Sequence, residues 1–171
     1  MRPGRVAVGA LMLSAAGLGG LVGYESYTGH AIQPVPGDRW TYGFGSTVRA
    51  DGTAVQPGDR ITPPAAVRLT VAHIGRDEPA LRRCFDGATL HQWEWDAVVK
   101  LAYNVGPAAV CRSSMPGKAR RGEYAEMCRT LLDFRRVQGR DCSLPEHSRF
   151  CGGVWRTRQA EYTLCMEGYP Q

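Results

Sequence analysis

Three stretches of this 171-residue chain carry a hydrophobic pattern strong enough to predict an element. Behind Arg2 and Arg5, residues 6–24 form a run of nineteen without a charge. That is enough to cross a bilayer as a helix, which takes roughly 17–25 apolar residues. Residues 40–44, Trp-Thr-Tyr-Gly-Phe, alternate aromatic with small side chains and predict a short strand. The turns flanking it are Pro34-Val35-Pro36-Gly37-Asp38, Asp51-Gly52 and Pro57-Gly58-Asp59, so residues 32–62 predict a small glycine-rich β-meander. In the third stretch, Trp93, Ala97, Val98, Leu101, Ala102 and Val105 recur at helical spacing. A buried core helix is expected there, closed by Gly106 as C-cap.

The apolar run has an unusual make-up. Five of its nineteen residues are Gly and four are Ala, leaving Val6, Val8, Leu11, Met12, Leu13, Leu18, Leu21 and Val22 to favour lipid. The leading arginines predict a cytoplasmic N-terminus with the remainder exported. Three fates fit: a weak anchor that later leaves the bilayer, a signal peptide cleaved at Ser14-Ala15-Ala16, or a permanent anchor. Each exports the rest of the chain.

Six cysteines at 84, 111, 128, 142, 151 and 165 agree with export to an oxidising compartment. No pair has CxxC spacing, so neither a zinc ribbon nor a thioredoxin motif is indicated. Six cysteines allow fifteen connectivities. The expected set is Cys84–Cys111 clamping the two ends of the core helix, Cys142–Cys151 closing a short loop, and Cys128–Cys165 from what remains.

The net charge of +5 is concentrated late in the chain, at Lys118, Arg120, Arg121, Arg129, Arg135, Arg136 and Arg140. Such a face could steer an acidic polymer or meet a membrane. Glu123, Glu126 and Asp133 interleave with these bases, which reads as a solvated helical face. No RNP, zinc-finger or bZIP pattern supports nucleic-acid binding.

The candidate chemistry lies just after the apolar run. Glu25 stands at a predicted helix end, Asp38 in a turn and Thr41 in a strand. A protonated carboxyl, a second carboxylate and a water-orienting hydroxyl are what glycoside hydrolysis requires. A helix Glu near a turn Asp is common, so the constellation alone is weak. His30 reads as a surface residue. The segment resembles the active-site region of phage-type lysozymes (glycoside hydrolase family 24), in which Glu, eight residues, Asp or Cys, and five residues precede a Thr-x-Gly-x-Gly strand. Glu25 and Thr41-Tyr42-Gly43-Phe44-Gly45 match. The spacing is one residue longer, the family's Asp position falls on Pro34 or Val35, and Asp38 is the substitute carboxylate argued from chemistry.

The resemblance continues in order. Residues 93–106 are similar to the family's "aLvsfafNvG" helix, Ser113-Ser114-Met115 to its "Stl", and residues 152–161 to its "GlvnRRraE". It implies an α+β lysozyme-like fold, with a β lobe at about 26–62 and a helical lobe at about 63–171, substrate between them and the 93–106 helix linking or underlying both. Residues 1–24 then form a segment similar to the signal-anchor-release leaders of some phage endolysins, and residues 25–171 the catalytic domain. The implied reaction is hydrolysis of the β-1,4 bond between N-acetylmuramic acid and N-acetylglucosamine in peptidoglycan, with Glu25, Asp38 and Thr41 at the site and no cofactor or metal. The expected protein is a monomer, tethered to the inner membrane of a Gram-negative host through residues 6–24 and then periplasmic, with glycan strands as its partner. Rival readings are a catalytically silent peptidoglycan-binding module on the same fold, and a membrane-active basic region at 118–140. Arg156, Arg158 and Glu161 are expected to form structural ion pairs, and Trp93, Trp95 and Trp155 to belong to the core.

Overall fold

The computed structural model describes residues 4–24, 26–34 and 37–169. They form two compact units, Leu18–Arg76 and the combination of Met1–Gly17 with Asp77–Gln171.

In the first unit, strand β2 (Thr28–Ile32) pairs antiparallel with β3 (Thr41–Gly43), Thr28 opposite Gly43 and Ile32 opposite Thr41. Five residues therefore face three, and the pairing is irregular between its ends, as a bulge requires. The predicted strand at 40–44 is thus real but shorter, and the expected meander is one pair extended by single bridges at His30–Arg60, Tyr42–Ser46 and Val48–Ala54. Backbone bonds between Tyr42 and Ser46 reverse the chain in a tight turn. Gly43 makes this possible: its φ is 63°, and a Cβ there would stand 3.0 Å from that of Ala66. Ala31, Tyr42, Val55 and Leu69 form the small core of this unit, with Trp40 and Ile61 packed against it.

Helix α2 (Pro63–Cys84) is the long element whose residues belong to both units, with the division at Arg76 and Asp77. This corrects the expectation for the core helix: α3 (Gln92–Val105) lies wholly in the second unit. In other respects α3 agrees with its pattern. Residues 94–102 are all buried, and Gly106 closes the helix at φ 82°, a conformation that favours glycine. Four further helices follow, α4 (Pro107–Arg112), α5 (Met115–Arg120), α6 (Tyr124–Arg129) and α7 (Ser148–Glu167), the last kinked at Cys151, and of these α4 and α7 pack against α3. A two-residue hairpin, β5 (Arg136–Val137) with β6 (Arg140–Asp141), precedes α7.

Disulfides Cys84–Cys111, Cys128–Cys165 and Cys142–Cys151 are all formed, as expected, and all lie in the second unit. Arg158 and Glu161 pair one turn apart on α7 at 3.1 Å with both side chains buried, and Arg158 also reaches Asn104. Arg156 is exposed. Trp95 is fully buried, edge-on to Phe85, while Trp93 and Trp155 are half-buried.

The N-terminal run is part of this packing. Strand β1 (Val6–Ala7) pairs antiparallel with β4 (Thr89–Leu90), a short 3-10 turn follows, and α1 spans Ala15–Tyr24. Among the described residues, no helix is long and apolar enough to cross a membrane. Val8, Leu11 and Leu21 are buried, whereas Ala7, Gly9, Ala10, Ala15, Ala16, Gly19 and Gly23 are exposed. Val6 and Met12 remain 45% and 66% exposed, so the folded segment buries only part of its apolar surface.

Candidate active site

Of the three proposed site residues, Glu25 lies outside the described residues. It follows Tyr24, the last residue of α1. Asp38 and Thr41 are brought into one loop-to-strand segment by the turn before β3. Asp38 is exposed, and its carboxylate accepts the Arg39 amide at 2.8 Å. The Gln33 side chain donates to the Asp38 carbonyl at 2.8 Å, tying the loop back to the end of β2. Thr41 is half-buried at the first position of β3, opposite Ile32. The half-buried Trp40 between them packs on the small core, so the segment has an apolar floor.

Neighbouring side chains brace the lobe without entering this chemistry. Arg49 holds Asp59 with two hydrogen bonds of 2.7 and 2.9 Å, and Asp59 also accepts the Gln56 amide. The Arg49 guanidinium, followed by that amide, draws the Asp59 carboxyl below its ordinary range. The Tyr42 hydroxyl is pushed up, by burial first and by Asp59 second, and stays protonated. His30 is exposed, as the sequence reading has it.

The second unit holds a cavity of about 240 Å³ lined by Ser113, Ser114, Thr130, Asp133 and Phe134. Thr130 is fixed there by the Lys118 ammonium at 2.8 Å. The cavity's hydroxyls are engaged within the protein: Ser113 donates to the Val110 carbonyl at 2.7 Å and Thr130 to that of Glu126 at 3.0 Å. The Ser113-Ser114 pair was visible in the sequence only as a motif. Its partners Thr130 and Asp133 belong to a later segment with no distinctive spacing.

The basic cluster is largely spoken for. Arg121 chelates Glu123, Arg129 pairs with Glu126, Arg135 with Asp141, and Arg120 donates to the Cys84 carbonyl. Intramolecular pairing on this scale agrees with a solvated face rather than a dedicated patch. Among the described residues, no group of three or more His, Cys, Asp or Glu could hold a metal ion.

One unit with a bulged strand pair carrying Thr-x-Gly-x-Gly, and another with a largely buried helix at its core, are the parts of a lysozyme-like α+β hydrolase. The sequence profile of the phage lysozyme family matches residues 22–161, and the chain belongs to that family. It is a glycoside hydrolase of the endolysin type, a muramidase of peptidoglycan, and family membership favours the enzyme over a silent module on the same fold. A SAR-endolysin of Haemophilus phage HP1 is 27% identical over 142 residues, covering 77% of this chain and 69% of that protein. The endolysin of Escherichia coli O157:H7 phage FAHEc1 superposes with a TM-score of 0.78 at 22% identity, over 95% of this chain and 98% of that one. The active form of the P1 phage endolysin Lyz gives 0.71 at 24% identity, over 94% and 88%. These two structures share the lysozyme-like fold with this chain.

Proposed function

We propose that Glu25 is the general acid of this muramidase, Asp38 its second carboxylate and Thr41 the hydroxyl that orients water. A glycosidic oxygen leaves only if it is protonated, and Glu25 occupies the acid's position in the family motif. A carboxylate such as Asp38, exposed before β3, can stabilise positive charge on the sugar or activate water. Thr41, anchored in β3, offers a hydroxyl three residues away. The substrate is the glycan strand of peptidoglycan.

The enzyme reaches the periplasm of a Gram-negative host tethered by residues 6–24 and is then released with that segment intact. The Haemophilus phage relative is itself named a SAR-endolysin. The observation that carries the reading is that the segment has a place in the fold: β1 completes a pair with β4, and Val8 and Leu11 are buried. Cleavage at Ser14-Ala15-Ala16 would discard all three. Intact mass of the lytic, soluble protein tests this directly. A mass that includes residues 5–16 is expected, and a lytic form lacking them contradicts release.

A further inference from the structure

Three carboxylates of the second unit hold the N-terminal segment. Glu94 takes Arg5 in a two-point bond of 3.0 and 2.7 Å, with the guanidinium stacked 3.5 Å from the centre of the Tyr124 ring. Glu78 accepts the Leu13 amide at 2.7 Å and the Trp95 indole at 3.0 Å. Asp96 is the most buried, with 0% of its surface exposed. Its Oδ1 accepts the Ser14 amide and the Gln92 side chain, both at 2.9 Å. Its Oδ2 accepts the Ser14 hydroxyl at 2.6 Å and the Tyr169 hydroxyl at 2.7 Å.

A buried carboxylate has about four acceptor sites and is costly to leave unsatisfied. Here four donors arrive, and two of them come from Ser14. Ser14 in turn caps α1, since its Oγ accepts the Gly17 amide at 2.9 Å. Asp96 therefore places negative charge against the first turn of α1, where the helix dipole favours it. Gly17 permits the approach: a Cβ there would lie 2.7 Å from the Asp96 carboxyl carbon. Burial, then the bond to Asp96, pushes the Tyr169 hydroxyl up, so it remains a donor.

We propose that Asp96 is a positioning residue for catalysis: through Ser14 it holds the first turn of α1, the helix whose last residue precedes Glu25, and does so only once the N-terminal segment has joined the folded unit. This rests on release with the segment intact. While residues 6–24 lie in a membrane, Ser14 is absent from Asp96, which then keeps only the donors from Gln92 and Tyr169. Arrival of the segment satisfies the buried charge and caps the helix in one step. Asp96 thus rewards the released, folded-in state and gives nothing to the tethered one.

The test is amide hydrogen exchange on soluble, detergent-free protein, with kcat and KM measured alongside. Ser14→Ala and Asp96→Ala should each raise exchange at the α1 amides about tenfold to a hundredfold, the factor for one charge-assisted hydrogen bond. Amides of α7 should change less, kcat should fall, and KM should hold. In the Asp96→Ala background, Ser14→Ala should add little. Asp96→Asn keeps an acceptor for the Ser14 amide and should recover part of the protection. Tyr169→Phe, which removes a donor from outside the segment, should leave α1 near wild type. Unchanged exchange at α1 in both alanine variants overturns the proposal, as does an equal rise throughout α3 and α7. The wild-type mass separates the two ideas: loss of residues 1–16 sinks release itself, whereas an intact segment with unchanged exchange sinks only the role of Asp96.

Discussion

The two units are held together by different means. The Asp77–Gln171 portion carries all three disulfides, a helix buried over residues 94–102 and a buried Arg158–Glu161 pair. The Leu18–Arg76 unit has no cysteine, a small core cluster around Ala31, Tyr42, Val55 and Leu69, and turns braced by Arg49 and Asp59. Yet Glu25, Asp38 and Thr41 all belong to the second of these. Covalent staples secure one unit, and hydrogen-bonded turns hold the other, which carries the residues proposed to act. Sites often sit on such segments, because loops can adapt while a rigid scaffold fixes their ends.

The largest effect should come from the stapled unit. Replacing Cys128 and Cys165 by Ser opens a crosslink spanning 37 residues of sequence. Removing a native disulfide typically costs about 2–5 kcal/mol, so chemical denaturation should show a loss on that scale. A variant as stable as wild type would mean that the core around α3 needs no staple. Asp38→Asn should behave in the opposite way. Its side chain is exposed, so melting should hardly move, while turnover falls roughly 10–1000-fold, the range of acid–base and electrostatic effects. Near-full turnover would place the second carboxylate elsewhere.

Acid should discriminate between the units more gently. The folded-state pKa of Asp59 lies below its unfolded value, because Arg49 and the Gln56 amide hold the charged form. Its contribution to stability is therefore complete above the unfolded value of about 3.9 and is lost as pH falls through the lower, folded one. Asp141, drawn down by Ser143 first and Arg135 after it, follows the same sign but adjoins the Cys142–Cys151 crosslink. Below about pH 4, exchange should rise around residues 46–61 before residues 140–151. Asp59→Asn should flatten that early rise, and the reverse order of opening would contradict the comparison. The smallest effect expected is none. With no cysteine in residues 1–83, a mild thiol should leave activity unchanged over an assay, and an abrupt gain would reveal a redox control that the comparison lacks.

The same contrast decided what could be read in advance. α3 was legible because six apolar positions repeat at helical spacing and Gly106 stops it. The disulfide pairing was open in the sequence, and the set proposed from a clamp across the core helix, a short loop and the remaining pair is the one that forms. The uncharged run was plain, but its folded form was not. β1 depends on Thr89 and Leu90, and the start of α1 depends on Asp96, partners more than eighty residues away. α2 escaped notice as the linking element because its long polar stretch and internal Pro79 obscure the helical pattern. At the site, the 40–44 pattern signalled the strand, but not the turn at Gly43 and Gly45, and no spacing rule ties Asp38 to Gln33.

Turnover of purified peptidoglycan by Glu25→Gln, set beside wild type and with folding checked by melting, tests the central claim most directly. The amide cannot donate the leaving-group proton, so the variant should fold and release almost no glycan fragments. Wild-type turnover by a folded Glu25→Gln protein would contradict the account.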